Sequence, residues 1–140
     1  MTDKNRVQHF ITYFGNDKLS DTKPELALDR FAEFYMIECD HTDPVTFYDE
    51  DGDRWDVTPD RLIRIDKAEP FYCHADGPHH WTPKFRAKDD WQDRQLNKLG
   101  KKVLRIDSPV LLDEAFWPRL WKQMAAFAYD PKVRKLRIYA

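Results

Sequence analysis

The chain has 140 residues, 23 basic against 25 acidic side chains, a formal net charge of −2 and an aromatic content of 14% with five tryptophans; this predicts one packed domain and excludes both two ordinary domains and a disordered chain. The near balance of charge excludes nucleic-acid binding by bulk electrostatics, so any such role rests on local clustering. Two cysteines, Cys39 and Cys73, with no long apolar run and no apolar leader, predict free thiols in a reducing, cytoplasmic setting and no membrane partner.

Val7, Phe10, Ile11 and Phe14 lie on one helical face that Gly15 would end, so residues 1–20 read as a helical N-terminal arm. Ser20, Asp21 and Thr22 then offer an N-cap and Pro24 an early helix position. Leu28, Phe31, Ala32 and Tyr35 recur at helical spacing, with Glu25 near the buried stripe and Glu33 solvated. Val45–Tyr48 and Arg54–Thr58 flank the turn signal Asp51-Gly52 and read as a hairpin. Leu62–Ile65 is either a further strand or a continuation of the Arg54 segment. Phe71–Ala75, short, mostly apolar and bounded by Pro70 and Gly77, suits a central strand. Pro83–Leu99 is a helix closed by Gly100, with Lys101 and Lys102 at its negative end. Its spacing puts Asp89 and Gln92 on the buried stripe, where each needs a partner. Val103–Ile106 completes a strand, helix, strand unit and is expected parallel to Phe71–Ala75. Leu112, Phe116, Leu120, Met124 and Phe127 predict a third helix, with Pro118 in its first turns or at a bend. The weak alternation of Val133–Tyr139 suits a tail or an edge strand. The fold class is therefore α/β, a mixed sheet flanked by helices, with residues 21–130 as the domain and 131–140 as the tail.

At Pro59-Asp60, at His74-Ala75-Asp76-Gly77 closing the central strand, at His80 beyond it and at Lys88-Asp89 on the helix, the chain resembles the PD-(D/E)XK nuclease superfamily. The branch it is similar to holds very-short-patch repair endonucleases and related homing endonucleases. That branch's pattern of a helix glutamate, an aspartate, a variable residue, a histidine and a later aspartate falls by position on Glu25, Asp60, His74, His80 and Asp89. Gly100–Ile106 also resembles the strand that follows the helix. The resemblance implies a restriction-endonuclease-like sheet with an αβββαβ core and a metal-dependent endonuclease or nickase. It implies nucleic acid, DNA above all, as the partner, and Mg2+ or Mn2+ held by Asp60 and Asp76. Where the superfamily usually has a glutamate this chain has His74, and where a lysine follows it has Asp76. Either His74 ligates as neutral imidazole, favouring Mn2+ or Zn2+ over Mg2+, or it fills the variable position and leaves the metal to Asp60 and the proton to His80. The second outcome is the expectation.

The residue chemistry points the same way independently. Phosphodiester hydrolysis needs a hard cation on carboxylates, for which Asp60 and Asp76 are candidates, and a proton carrier, for which His80 is the candidate. It also needs cations on the backbone, and Lys84, Arg86, Lys88, Arg94, Lys98, Lys101 and Lys102 crowd one segment. Taken singly, each feature has a plainer account. Asp60 and Asp76-Gly77 suit turns, His79 and His80 suit a loop, and the basic run suits a solvated helix face paired with Asp90 and Asp93. Two other classes compete: a nuclease-fold protein without catalysis that binds nucleic acid or assembles, and a structural zinc protein using Cys39, His41, Cys73 and His79. A single site would nick, whereas a homodimer would bring two sites to a duplex.

Overall fold

The strand, helix, strand unit expected over residues 71–106 forms the middle of the computed structural model, which describes residues 22–140. The arm expected over residues 1–20 lies outside the described residues. Helix α1 (Thr22–Tyr35) leads into strand β1 (Glu38–Asp40), the hairpin β2 (Val45–Tyr48) and β3 (Arg54–Val57), then β4 (Arg61–Arg64) and β5 (Phe71–Asp76). A 3-10 turn (Pro78–Trp81), helix α2 (Pro83–Lys98), β6 (Val103–Asp107), the short helix α3 (Ser108–Leu112), helix α4 (Trp117–Tyr129) and β7 (Lys135–Ile138) follow.

Five strands form one mixed sheet in the order β1-β4-β5-β6-β7. β4 runs antiparallel to β1 and β5, whereas β5, β6 and β7 are parallel, with His74 opposite Arg105 and Asp76 opposite Asp107. The α2 crossover forces the parallel pairing, as a tight turn would force an antiparallel one. Period-two alternation then gives the sheet two different faces. Phe71, Cys73, Ala75, Leu104 and Ile106 look into the main core beneath α1, α3 and α4. On the other face Val103 meets Leu96 of α2 with Phe47 and Val57 of the hairpin, while His74, Asp76, Arg105 and Asp107 share that polar side and are all buried. That buried polar row is what the helices and hairpin position.

Local chemistry sets the ends of the elements. Pro83 starts α2, the Thr82 hydroxyl accepts from the Phe85 N–H at 3.4 Å, and Gly100 takes φ +79°, a left-handed turn that favours glycine after a helix. Thr58-Pro59-Asp60 breaks the chain between β3 and β4, so Arg61–Arg64 is a separate strand in the larger sheet rather than an extension of the hairpin. The single third helix expected from Leu112 to Phe127 is three pieces. Asp113 ends α3 and its carboxylate accepts from the Ala115 N–H, a turn follows, and α4 starts at Trp117 with Pro118 in its first turn, where a missing N–H does no harm. Residues 135–138 are a full edge strand.

Candidate functional site

Beyond the C-terminal end of β5, Glu25, Asp60, His74, Asp76, His80 and Asp89 all line one cleft of 420 Å³ together with Lys88, Gln92 and Arg105. Residues far apart in sequence meet here because α1, the β3–β4 break, β5, the 3-10 turn and α2 all end at the same edge. Within the cleft the six fall into two groups.

The first group is Glu25, Asp60 and His74. Arg61, buried on β4, grips Asp29 of α1 with Nε and Nη2 at 2.7 and 2.9 Å, holds the Asp60 carbonyl at 2.6 Å and reaches Glu25 at 3.8 Å. This fork fixes α1 against the β3–β4 break. Asp60 accepts the Ala75 N–H at 2.9 Å and shares a hydrogen bond with the Glu25 carboxyl. Burial first, and then Glu25, push the Asp60 carboxyl up to about 7, with Asp76 adding to it. Two acidic groups in hydrogen-bond contact cannot both carry charge unless a cation joins them. The His74 ring lies with Nδ1 3.9 Å from Asp60 Oδ2, too far for a hydrogen bond, and its buried Nε2 has no partner among the described residues. Burial and the charges of Arg105, His80 and Arg137 hold the imidazole well below its usual range, hence neutral.

The second group is Asp76, His80 and Asp89, whose ligand atoms lie within 4.8 Å of one another. Its charge is already spent. Asp76 is 2% exposed and is held by Arg137 at 2.8 Å and by Arg105 at 3.3 Å, and Asp89 meets the same two guanidiniums at 3.3 and 3.4 Å. Arg105 also forks onto Asp93 at 2.7 and 2.8 Å, and Arg86 and Arg137 share Asp107. A dication here would meet guanidiniums a few ångströms away. The His80 ring stands with Nδ1 2.8 Å from Asp89 Oδ2, an acceptor that puts a proton on Nδ1 and leaves Nε2 as the nitrogen not engaged by Asp89.

Several expectations therefore change. Asp60 and Asp76, expected to share a metal, line the same cleft, but each also has partners of its own: Asp60 couples to Glu25, and Asp76 meets two arginines. Asp93, which the plainer account paired with a solvated basic face, is buried against Arg105, and burial raises its carboxyl above the ordinary range despite that partner. Of the expected phosphate contacts, Lys84, Lys88, Arg94 and Lys98 are exposed on α2. Arg86 instead turns inward to Asp107, and Lys102 is buried with its ammonium on the Phe127, Ala128 and Asp130 carbonyls at the end of α4. The zinc set does not assemble: Cys73 lies in the core, Cys39 donates to Asp29, and burial pushes the Cys39 thiol up to about 12. Arg105, Arg137 and Arg61 were not expected at the site. The signal for the first two was an arginine set between apolar residues in a strand, Leu104-Arg105-Ile106 and Leu136-Arg137-Ile138.

No family model, no curated protein and no solved structure matches the chain. Among the described residues, no helix is long and apolar enough to cross a membrane.

Proposed function

We propose that this chain is a metal-dependent phosphodiesterase acting on nucleic acid, a DNA endonuclease or nickase with the restriction-endonuclease-like arrangement that its PD-(D/E)XK resemblance implies. The observation that carries the reading is the Glu25–Asp60 pair, two acidic groups hydrogen-bonded to each other in the cleft, where Asp60 is largely buried. Such a donor set fits a divalent cation, and Asp60, with Glu25 behind it, would hold it. When bound, the ion supplies neutralisation of the scissile phosphate and a lower pKa for the attacking water.

The chain's own residues do the rest. Asp89, clamped by Arg105 and Arg137, orients His80 through Nδ1, so that Nε2 is the nitrogen positioned to take the proton of the incoming water and hand it on. Lys88 at the cleft, with Lys84, Arg94 and Lys98 along the same helix, lays a basic track for phosphates outside an acidic interior. The His79, His80 and Phe85 rings group at the cleft, with centroids 4.1 to 6.2 Å apart, and offer flat faces to an unstacked base.

Supercoiled plasmid incubated with the full chain and Mg2+ or Mn2+ tests this reading. Nicked or linear product is expected from the wild type, and Asp60→Asn should abolish it while retaining binding to the same DNA by mobility shift. A second reading, a nuclease-fold protein that binds nucleic acid without cutting it, is favoured by His74 standing where the superfamily's carboxylate is usual. Binding by the wild type with no cleavage in either metal would decide for it.

A further inference from the structure

The proposed chemistry leaves the His74 imidazole without a task, although its position is expensive to maintain. The side chain is 10% exposed, sits opposite Arg105 in the sheet register, and buries an Nε2 that finds no partner among the described residues. A buried polar atom without a hydrogen bond is destabilising, and an apolar residue at this place in β5 would avoid the penalty, so what an imidazole offers here is its other nitrogen. On its other side, Nδ1 stands 3.9 Å from Asp60 Oδ2. Two donors of one tetrahedral ion, with bonds of about 2.0–2.1 Å, lie about 3.4 Å apart, so a closure of about 0.5 Å by side-chain rotation brings Nδ1 and Oδ2 to ligand spacing. In the neighbouring Asp76, His80 and Asp89 group both carboxylates already engage Arg105 and Arg137, whose positive charges disfavour a dication there.

We propose that Asp60 and His74 form a mixed oxygen and nitrogen seat for a single borderline divalent cation, of the Mn2+, Co2+ or Zn2+ class, and that the site is selective against Mg2+. Imidazole suits these ions, whereas Mg2+ keeps oxygen ligands. Glu25, hydrogen-bonded to Asp60, orients the carboxylate rather than contacting the ion. This inference rests on the metal-dependent reading above, and it reverses the expectation that His74 is a spectator.

The test is made without nucleic acid, so that the two ideas fail separately. Co2+ is titrated into the full wild-type chain and into His74→Ala, His74→Glu and His80→Ala, followed by visible absorption and by calorimetry, with Mg2+ titrated in parallel. Thermal melts of each metal-free variant identify those that remain folded. The wild type should bind one Co2+ at this site, with His74→Ala weakening it by roughly 10–100-fold or more, the scale known for lost support of a metal site. His74→Glu should restore divalent binding with Mg2+ strengthened relative to Co2+, which also keeps the test alive should the alanine variant not fold. His80→Ala should leave Co2+ affinity within about twofold, since in this geometry His80 serves Asp89 and not the ion. Equal Co2+ affinity in His74→Ala, or loss in His80→Ala instead, overturns the proposal. A chain that binds Co2+ through His74 but cuts no DNA overturns only the nuclease reading, and one that cuts with Mg2+ regardless of His74 overturns only this inference.

Discussion

A single carboxyl, Asp60, ties the site to the stability of the protein. Its pKa stands at about 7 in the folded chain against 3.8 for a free side chain, with burial as the first cause and Glu25 as the second. The folded state thus holds a proton between roughly pH 4 and 7 that the unfolded state has released, and stability from this group falls as pH rises through that window. His74 slopes the other way: its folded imidazole resists protonation, so its contribution is lost as pH falls below the ordinary histidine range. Comparing the wild type with Asp60→Asn cancels the His74 part. Asn can keep both hydrogen bonds, accepting from Ala75 and donating to Glu25, without the buried charge. Without metal, Asp60→Asn should be more stable than the wild type by roughly 2–4 kcal/mol at pH 8 and close to it at pH 4.5. Urea unfolding at the two pH values checks this, and an unchanged difference between them would refute it. His80 is tested at the level of rate: His80→Ala should slow metal-dependent cleavage by about 10²–10⁴-fold, and a variant that cuts at the wild-type rate would remove His80 from the reaction.

Among the elements, helix α2 shows what a sequence pattern can and cannot disclose. Its extent, its Thr82 and Pro83 start, its Gly100 stop and the parallel strands on either side all follow from local signals, because caps and periodicity act within a few residues. Local spacing also put Asp89 on the buried face and so announced that it had partners. It did not say which, because Arg105 and Arg137 lie on other strands and reach α2 only after the sheet has formed. The plainer account of Asp93 fails for the same reason: an aspartate among basic residues on a helix looks solvated until the arginine beneath it is known. The Leu112 to Phe127 stripe failed differently, since apolar periodicity carries through a turn that Asp113 and Pro118 impose on the backbone. The Arg105–Asp93 fork, 3% exposed on the arginine side, is now the strongest prediction at this scale. Arg105→Met strands the Asp93 carboxylate, leaves Asp76 and Asp89 to Arg137 alone, and should destabilise by about 3–5 kcal/mol in denaturant unfolding. Arg105→Lys keeps the charge, loses the planar fork and should also destabilise, by about 1–3 kcal/mol. A methionine variant within 1 kcal/mol of the wild type, about the median of an exposed pair, would show the network to be worth no more than a surface one.

Across the whole molecule, charge is sorted rather than scarce. The formal balance of −2 hides an acidic interior at one sheet edge and a basic helix face outside it, and the sorting depends on the last strand. β7 pairs with β6 over Lys135 to Ile138, and Arg137 reaches back to Asp76 at 2.8 Å and to Asp89 and Asp107 at 3.3 Å each. Residues 131–140, which by sequence could have been an appendage, thus carry one of the three guanidiniums that hold Asp76, Asp89, Asp93 and Asp107 together. Three positive groups against four negative ones leave no reserve, so removing one leaves buried carboxylates facing each other at short range. Arg137→Ala should therefore destabilise the protein by about 3–5 kcal/mol, the range for breaking a buried pair, whereas Lys132→Ala, an exposed change in the same segment, should stay within about 0.5 kcal/mol. The consequence for activity is separable from folding. Asp89 loses one of its two clamps in Arg137→Ala and His80 loses its fixed orientation, so cleavage measured well below the melting temperature should fall even where circular dichroism shows the chain folded. Full activity in folded Arg137→Ala would mean that the terminal strand supports the sheet alone and that His80 is oriented without it.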